Sequence, residues 1–235
     1  MSGFFDIPSD LQNSYFGLIG LHLREALLPV LAGLVLALPL AQLCVRLRWL
    51  YPPVLWVTTV IYAIPSLAFF VVLIDYTGLS ELTVMIPLTL YSLVVLVPAV
   101  VDAVRSVPQE TLAAATAMGF GPVRRYVQVQ LPIAVPAIIA GLRVATVSSI
   151  SLVSVGSLIG NQGALGNLLG ASMLYHRPEL AVTSVVTTAV LAILVDALLV
   201  LVRVLLTPWM PRRTPTKPKA EQPGPAALAL KDTAR

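Results

Sequence analysis

The sequence predicts an all-α protein, a polytopic transmembrane helical bundle with about five spans. Composition is the first reason: 57% of the 235 residues are hydrophobic and only 11% are charged, whereas soluble domains carry about 25% charged residues. The second reason is that apolar residues fall into runs of roughly 20, the length that a helix needs to cross a bilayer. The third is that basic residues gather in alternate connections between these runs. We therefore expect one membrane domain and no separate soluble domain.

Five apolar segments supply the predicted spans, because a helix satisfies every backbone hydrogen bond within one segment. They cover residues 26–45, 54–74, 82–101, 134–159 and 180–206. Neighbouring helices and hydroxyl groups make prolines tolerable inside such a bundle. We therefore expect kinks rather than breaks at the prolines within these segments, which are Pro29, Pro39, Pro65, Pro87 and Pro98.

The basic residues predict that the N-terminus lies outside and the C-terminus inside the cell. Cytoplasmic connections of membrane proteins collect Lys and Arg, and an odd number of spans puts the two termini on opposite sides. The connections that we place inside contain Arg46, Arg48, Arg105, Arg124 and Arg125, and Arg212, Arg213, Lys217 and Lys219 follow the last span. The other connections contain Asp75, Glu81, His176, Arg177 and Glu179.

The two ends of the chain differ from the spans in composition. We interpret residues 1–20, which carry Asp6 and Asp10 but no Lys or Arg, as an extracytoplasmic segment and not as a cleaved signal peptide. Residues 21–207 form the transmembrane domain, and residues 208–235 form a cytoplasmic tail rich in Pro, Lys and Ala. The tail has too little apolar surface to fold alone, so we expect it to be disordered.

Metal and nucleotide sites are not indicated in this chain. Its single cysteine, Cys44, lies in an apolar run and predicts a buried, inert thiol. His22 and His176 are far apart and belong to no Cys/His cluster, so no metal ligand set is indicated. The sequence also lacks a Gly-x-x-x-x-Gly-Lys-Ser/Thr run, so we do not expect this chain to hydrolyse ATP itself.

The longest connection, residues 102–136, is predicted to fold into an elbow of two short helices on the cytoplasmic face. Ser106-Val-Pro-Gln109 resembles a capping box that opens the first helix. Gly119 is expected to stop that helix, and Pro122 to open a second one through Gln130. Leu131-Pro132 then redirects the chain into the fourth span. An elbow of this kind can transmit motion from a soluble partner into the spans.

This connection resembles the EAA loop of ATP-binding-cassette (ABC) importer permeases. The family pattern is Glu-Ala-Ala, three residues, Gly, nine residues, Ile, one residue, Leu-Pro. Here Gly119 and Leu131-Pro132 match, Val129 stands in the Ile position, and Ala113 stands where the family has Glu. Glu110 lies one helical turn earlier and is expected to present its carboxylate on nearly the same face. The resemblance implies an ATPase-docking loop made of Glu110, Ala113, Ala114, Ala115, Gly119, Phe120 and Gly121.

Three further segments resemble the glycine betaine, carnitine and choline branch of these permeases. They are Ile64-Pro-Ser-Leu-Ala68, the segment from Leu131-Pro-Ile-Ala-Val-Pro136 to Ala140-Gly-Leu-Arg-Val-Ala145, and Ile159-Gly-Asn-Gln-Gly-Ala-Leu-Gly166. The resemblance covers roughly residues 20–206 and implies the MetI-like permease fold. It implies a multi-pass subunit of the bacterial cell (inner, plasma) membrane that imports a compatible solute. Amino-acid and methionine permeases of neighbouring branches are the alternative, and an ion-coupled secondary transporter is a third.

The resemblance also implies a division of labour among several proteins. A second permease subunit, identical or sister, completes the pathway, and two ATPase subunits bind beneath it. An extracytoplasmic solute-binding protein delivers the solute. ATP and Mg²⁺ would be used by the ATPase, and no cofactor is expected in this chain.

Two groups of residues are candidates for the translocation path and its gate. The first is the segment Ile64, Pro65 and Ser66 in the second span, which we interpret as a mobile gate. The second is a row of serines three residues apart, Ser148, Ser151, Ser154 and Ser157. Their spacing fits either close helix packing or a path lined with hydroxyl groups, and we single out Ser151 and Ser154 as path residues.

Asp196 is an acid deep in the last span, and intramembrane acids are candidate functional groups. Arg143 or Arg203 is expected to pair with it, so a structural ion pair, a gate and a proton-coupling group all remain open. The aromatic residues Tyr62, Phe69, Phe70 and Tyr91 are scattered at helical spacings, so we interpret them as lipid-facing or core positions and not as a cage for a quaternary ammonium solute. We expect the separate binding protein to recognise the solute.

Overall fold

The computed structural model describes residues 9–159 and 164–208, and within these ranges the regular elements are all helices. The long helices are α1 (Ser9–Arg46), α4 (Glu81–Arg105), α7 (Leu131–Gly156) and α9 (Pro178–Leu206). The shorter ones are α2 (Tyr51–Ala63), α3 (Ser66–Thr77), α5 (Gln109–Ala117), α6 (Pro122–Arg125) and α8 (Gly166–Leu174). Short 3-10 turns cover Arg48–Leu50 and Ser157–Ile159, and a π turn covers Tyr126–Gln130. The predicted all-α class is confirmed.

Four of the five predicted spans are single long helices. Pro29, Pro39, Pro87 and Pro98 lie inside α1 and α4 without ending them, as predicted. Helix α1 begins at Ser9, so the boundary that we placed at residue 20 falls within this helix. The predictions for residues 1–8 and for the tail from residue 209 lie outside the described residues, as do residues 160–163 of the segment that resembles the compatible-solute branch. Helix α8 was not predicted.

The second span is broken rather than kinked, and the prediction for Pro65 is wrong. Helices α2 and α3 meet at an angle of 90°, and Ile64 between them is extended, with φ −69° and ψ 123°. A proline excludes its preceding residue from the helical region, and this explains the conformation of Ile64. The Tyr91 hydroxyl donates a hydrogen bond of 2.8 Å to the Ile64 carbonyl, so a helix is not needed to satisfy that acceptor.

The broken pair nevertheless crosses the bundle from end to end, because α1 and α4 run parallel. Arg24, in the first half of α1, contacts Glu81 at the start of α4 at 3.3 Å. Beyond the end of α1, Arg105 at the end of α4 lies over the Tyr51 ring, 4.7 Å from its centroid. The chain leaves α1 at one end of the bundle and begins α4 at the other, so α2 and α3 together make the return crossing. With this pair counted as one span, the described residues make five crossings, as the sequence predicts.

Hydrogen bonds set the direction of α7 relative to α1. Tyr126, just before α7, donates its hydroxyl to the Leu38 carbonyl at 3.0 Å, and Ser149 donates to the Ala26 carbonyl at 2.8 Å. Helix α7 therefore runs antiparallel to α1. We call the end of the bundle with Tyr51, Arg105 and α5 the elbow end, and the end with Glu81, α8 and the start of α9 the far end.

Helix α4 is at the centre of the bundle, and α9 is at its periphery. Half of the most apolar stretch of α4 is buried, against 6% for α9. The core packs α1, α4 and α7 through small and branched side chains, including Ala37, Ala41, Val97, Val100 and Ala134. Cys44 is buried in this core as a free thiol, as predicted. The exposed side of α9 is apolar, which suits a surface in contact with lipid.

A glycine permits the close approach of α4 and α7. A Cβ atom added to Gly141 would lie 2.5 Å from the Ala99 Cβ atom, so a larger residue forces the two helices apart. We expect Gly141→Val to destabilise the folded chain by about 1–3 kcal/mol, the usual cost of overpacking, and to lower its melting temperature in detergent. Ala140→Val is the matched control because Ala140 is exposed on the same helix. Equal melting temperatures for the two variants would contradict this account of the contact.

The elbow and the candidate translocation path

The elbow predicted from the sequence is present, and Gly119 forms its turn. Helix α5 ends at Ala117, and Gly119 adopts a positive φ of 81°, a conformation that glycine adopts without steric cost. The amide of Phe120 donates to the Ala115 carbonyl at 3.1 Å, and that of Gly119 donates to the Thr116 carbonyl at 2.9 Å. These bonds satisfy carbonyls at the helix end, as a glycine stop does. The prediction for Gly119 is confirmed.

The predicted capping box at the start of the elbow is wrong. Ser106 is the C-terminal cap of α4, and its hydroxyl donates to the Ala103 carbonyl at 2.7 Å. Helix α5 starts later, at Gln109, after an extended Pro108 with ψ 137°. Pro108 disfavours the helical conformation at Val107, so α5 cannot begin directly from Ser106. The buried Val107 anchors the junction instead.

Side-chain contacts hold the two arms of the elbow together. Arg125 in the second arm donates to the Thr116 hydroxyl in the first at 2.7 Å. The Arg124 guanidinium lies over the Phe120 ring, 4.3 Å from its centroid. A cation–π contact of this kind at an exposed site contributes about 0.5–1 kcal/mol. These contacts predict that the elbow moves as one body.

The second arm continues into α7 without the redirection that we expected at Leu131-Pro132. Helix α6, the π turn Tyr126–Gln130 and α7 form one apolar helical stretch, Pro122–Gly156. Pro132 lies in the first turn of α7, where its missing amide hydrogen breaks no hydrogen bond of that helix. Because the helix is continuous, a displacement of the elbow is carried directly into α7.

Most of the predicted docking residues are accessible on the elbow. Glu110, Ala113, Ala114, Gly119 and Gly121 are exposed, and Phe120 is half-buried. Glu110 and Ala113 lie one turn apart on α5, so the carboxylate can be presented beside the position where the family pattern has Glu. Ala115 is a correction, because it is only 1% exposed and packs inward, where it cannot contact a partner.

Three exposed apolar side chains on the elbow were missed by the sequence analysis. Met118, Val123 and Val127 are 68%, 70% and 53% exposed. They lie beside the predicted docking residues, and an exposed apolar patch of this kind marks a surface for a partner. The signal that indicates them is their place in the sequence, since Met118 directly precedes Gly119 and Val123 and Val127 lie four residues apart in the second arm.

The predicted gate residues lie at the break between α2 and α3. Ile64 and Pro65 are exposed and Ser66 is half-buried at the first position of α3. The Tyr91 hydroxyl at the Ile64 carbonyl is the contact that holds the break against α4. Their role as a gate stays a prediction.

The serine row on α7 divides into two parts. Ser148 and Ser151 are exposed, and Ser151 donates to the Val147 carbonyl at 3.2 Å. Ser154 is half-buried and Ser157 is buried, since the backbone of Gly166 packs against both. A Cβ atom added to Gly166 would lie 2.7 Å from the Ser157 Cβ atom. Close packing therefore accounts for Ser154 and Ser157, whereas Ser148 and Ser151 are placed where they can line a path.

Asp196 pairs with Arg143, one of the two partners that the sequence left open. The Arg143 Nε and Nη2 atoms donate to the two Asp196 carboxylate oxygens, each at 2.6 Å. The bidentate geometry fixes both side chains and joins α7 to α9 near the middle of α7. The expected contact between Arg143 and Asp196 is therefore present, whereas its structural, gating or proton-coupling role stays a prediction.

A buried histidine near the far end also joins α1 to α7. His22 is fully buried, and its Nε2 atom lies 3.0 Å from the Ile150 carbonyl. A carbonyl only accepts hydrogen bonds, so Nε2 carries the proton in this contact. Glu25, one turn further along α1, is also fully buried. The sequence placed these residues before the first span, because the apolar run was taken to begin at residue 26.

Three aromatic side chains that looked scattered in the sequence form one cluster. Tyr62 and Phe69 both pack edge-on against Tyr91, with ring centroids 6.0 Å and 5.9 Å from that of Tyr91. Phe70 lies elsewhere, fully buried in the core. The 90° bend brings the end of α2 and the start of α3 to the same residue of α4, which linear spacing does not indicate. The exposed Tyr62 and the buried Phe70 and Tyr91 fit the lipid-facing or core positions expected of them, and only the contact between three of the rings was not predicted.

Solved structures share this fold. A chain of the inward-facing MetNI methionine ABC transporter aligns with a TM-score of 0.70 at 19% identity, covering 88% of this chain and 100% of that one. A chain of an amino acid ABC transporter, solved with histidines, aligns with a TM-score of 0.64 at 19% identity, covering 81% and 92%. At these identities the likeness establishes the MetI-like permease fold.

Sequence comparison establishes the family. Residues 29–212 match the family described as binding-protein-dependent transport system inner membrane component. The chain belongs to this family, which is a transport component and not a catalytic subunit. It is accordingly a multi-pass protein of the bacterial inner membrane.

Curated relatives match over most of their length. The choline transport system permease protein OpuBB of Bacillus subtilis is 27% identical over 80% of this chain and 86% of its own. The choline transport system permease protein OpuBD of the same species is 31% identical, over 84% and 88%. The osmoprotectant import permease protein OsmW of Salmonella typhimurium is 32% identical, over 80% and 89%.

Proposed function

We propose that this chain is the permease subunit of an ABC importer that carries a quaternary ammonium compatible solute, such as glycine betaine, choline or carnitine, into the cell. The substrate class is supported by sequence similarity to permeases that are named for choline and osmoprotectant transport. The similarity extends over 80% or more of this chain. The Ile64-Pro-Ser-Leu-Ala68 segment adds support, because it lies at the helix break beside the candidate path.

The proposed importer contains partners with separate tasks. A second permease subunit completes the path, a solute-binding protein delivers the solute from outside, and ATPase subunits hydrolyse ATP with Mg²⁺. The ATPase would dock on the elbow through Glu110, Ala113, Ala114, Phe120 and the exposed Met118. These side chains offer one carboxylate among small and apolar groups, a surface suited to a grooved protein partner.

The proposed orientation places the elbow end in the cytoplasm. Arg46, Arg48, Arg105, Arg124 and Arg125 belong to connections at that end, and Arg24 and Arg177 at the far end face Glu81 and Glu179 at 3.3 Å and 2.5 Å. The excess of basic residues at the elbow end supports a cytoplasmic location for it. The N-terminus of α1 is then outside, and the end of α9 is inside.

Motion would reach the path through α7. The elbow arms are joined to each other by Arg125 and Thr116, and the second arm continues into the helix that carries Ser148 and Ser151. If the docked ATPase moves the elbow, Ser148 and Ser151 on α7 would therefore move relative to α4. The bidentate pair of Arg143 and Asp196 would carry the shift on to α9.

Uptake in the source bacterium tests the substrate class. We expect deletion of this subunit to remove most high-affinity uptake of radiolabelled choline, glycine betaine or carnitine in high-salt medium. The wild-type chain supplied in trans is expected to restore it. Methionine and histidine uptake in the same cells is the control and is expected to be unchanged. Loss of methionine or histidine uptake alone would reject the compatible-solute proposal in favour of an amino-acid importer.

A further inference from the structure

A cavity opens beside the helix break, at the aromatic cluster. It is a small, partly open cleft of about 40 Å³, so it can enclose only part of a solute. Helices α2, α4 and α7 each contribute to its wall. Polar and aromatic lining comes from Tyr62, Tyr91, Ser92, Ser148 and Ser149.

The chemistry of the wall matches a cation that carries no hydrogen-bond donors. The rings of Tyr62 and Tyr91 stand at 84° to each other with centroids 6.0 Å apart, so they form two walls of a corner. The negative faces of aromatic rings attract quaternary ammonium groups. The lining contains no Lys or Arg to repel a cation and no Asp or Glu to hold it tightly. This combination suits weak, reversible binding during transport.

The cavity lies partway along α4, between the two ends of the bundle. Tyr91 lies 10 residues after Glu81 and 14 before Arg105, which places it about 15 Å and about 21 Å along the helix from the two ends of α4. The cavity is thus inside the membrane, somewhat nearer the far end. Exposed hydroxyls at Ser148 and Ser151 adjoin it, whereas the exposed face of α9 is made of residues such as Val185, Ile193 and Leu201. Hydroxyls on one face and aliphatic groups on the other distinguish a path from a lipid contact.

We propose that the cavity lined by Tyr62, Tyr91 and Ser148 is a low-affinity binding site for a quaternary ammonium cation, placed on the translocation path of this chain. The proposal rests on the proposed function for its ligand class. It assigns Tyr62, which is 63% exposed, as the ring that meets the cation. It assigns the buried Tyr91 as the ring that forms the back wall and, through the Ile64 carbonyl, sets the angle of the break.

Thiol protection tests this site on the full-length chain. Cys44 is the only cysteine in the sequence, so Cys44→Ser gives a background in which Ser148→Cys reports the cavity alone. We expect choline to slow labelling of Ser148→Cys by a membrane-permeant maleimide. The neutral isostere 3,3-dimethyl-1-butanol, which has the same shape without the charge, is expected to leave the rate unchanged. Val185→Cys on the exposed side of α9 is the control position, where neither compound should protect.

Ring variants identify the contact. Tyr62→Leu is expected to weaken choline protection by roughly two- to fivefold, the factor that loss of one exposed cation–π contact implies, whereas Tyr62→Phe is expected to keep it. Equal effects of choline and its isostere, or equal protection in Tyr62→Leu and the wild type, would overturn the site. Labelling needs no ATPase, so it separates the two proposals. If cells take up choline but choline does not protect Ser148→Cys, the cavity is rejected as a binding site and the importer function stands. If choline protects Ser148→Cys but cells show no choline uptake through this chain, the importer function is rejected and the binding site stands.

Discussion

Gly119→Val is expected to reduce the amount of ATPase that co-purifies with this chain by roughly five- to thirtyfold. Gly119 has a φ of 81°, and left-handed backbone costs a residue with a side chain about 1–2 kcal/mol, which corresponds to that range. A β-branched residue is the least tolerated there. Nothing lies within 4 Å of a Cβ atom at this position, so the effect comes from the backbone of the turn and not from a clash.

Two matched variants isolate this effect. Gly119→Asn is expected to behave nearly as the wild type, because Asn tolerates left-handed backbone. Gly121→Ala is also expected to be neutral, since its φ of −65° suits any residue and its Cβ would meet open space. The measurement is the molar ratio of ATPase to tagged permease after affinity capture from membranes. A wild-type ratio in Gly119→Val, with the melting temperature unchanged, would show that the elbow does not dock the ATPase.

Arg143→Met is expected to remove most of the correctly assembled chain from the membrane. The substitution leaves the Asp196 carboxylate without the guanidinium that donates to both of its oxygens at 2.6 Å. An unpaired charge within a span is strongly unfavourable. Asp196→Leu is expected to have the same effect, because it leaves Arg143 unpaired in turn. The yield of monodisperse protein in detergent measures both.

The double variant Arg143→Met with Asp196→Leu distinguishes a structural pair from a gate. Apolar replacement of both partners leaves no unpaired charge within the spans, so we expect its yield to recover well above that of either single variant. Recovery of both yield and uptake would mean that the pair serves assembly alone. Recovery of yield without uptake would assign it a role in gating. A double variant no better than the single ones would contradict the ion-pair explanation.

Much of the elbow could be predicted from residues that are close together in the sequence. The turn at Gly119 follows from one glycine after a good helix former, and the conformation depends on that residue itself. The start of the elbow was misplaced because Ser106 was taken as the N-terminal cap of α5, whereas it is the C-terminal cap of α4. Pro108 decides between the two, since it prevents α5 from beginning directly after Ser106. Resemblance predicted part of the elbow surface, but it missed Met118, Val123 and Val127, and it wrongly included Ala115, whose burial depends on packing that the pattern does not contain.

The sequence by itself determined the all-α class, the spans and the position of the elbow, because hydrophobic length, glycine and proline act within a few residues along the chain. Only the tertiary structure decided that Pro65 breaks its span where Pro29, Pro39, Pro87 and Pro98 do not. It likewise decided that Arg143 is the partner of Asp196, and that Tyr62, Phe69 and Tyr91 meet. These outcomes depend on which helices become neighbours. The parallel course of α1 and α4 and the 90° bend between α2 and α3 set those neighbours, and contacts between residues distant in sequence leave no periodic signal.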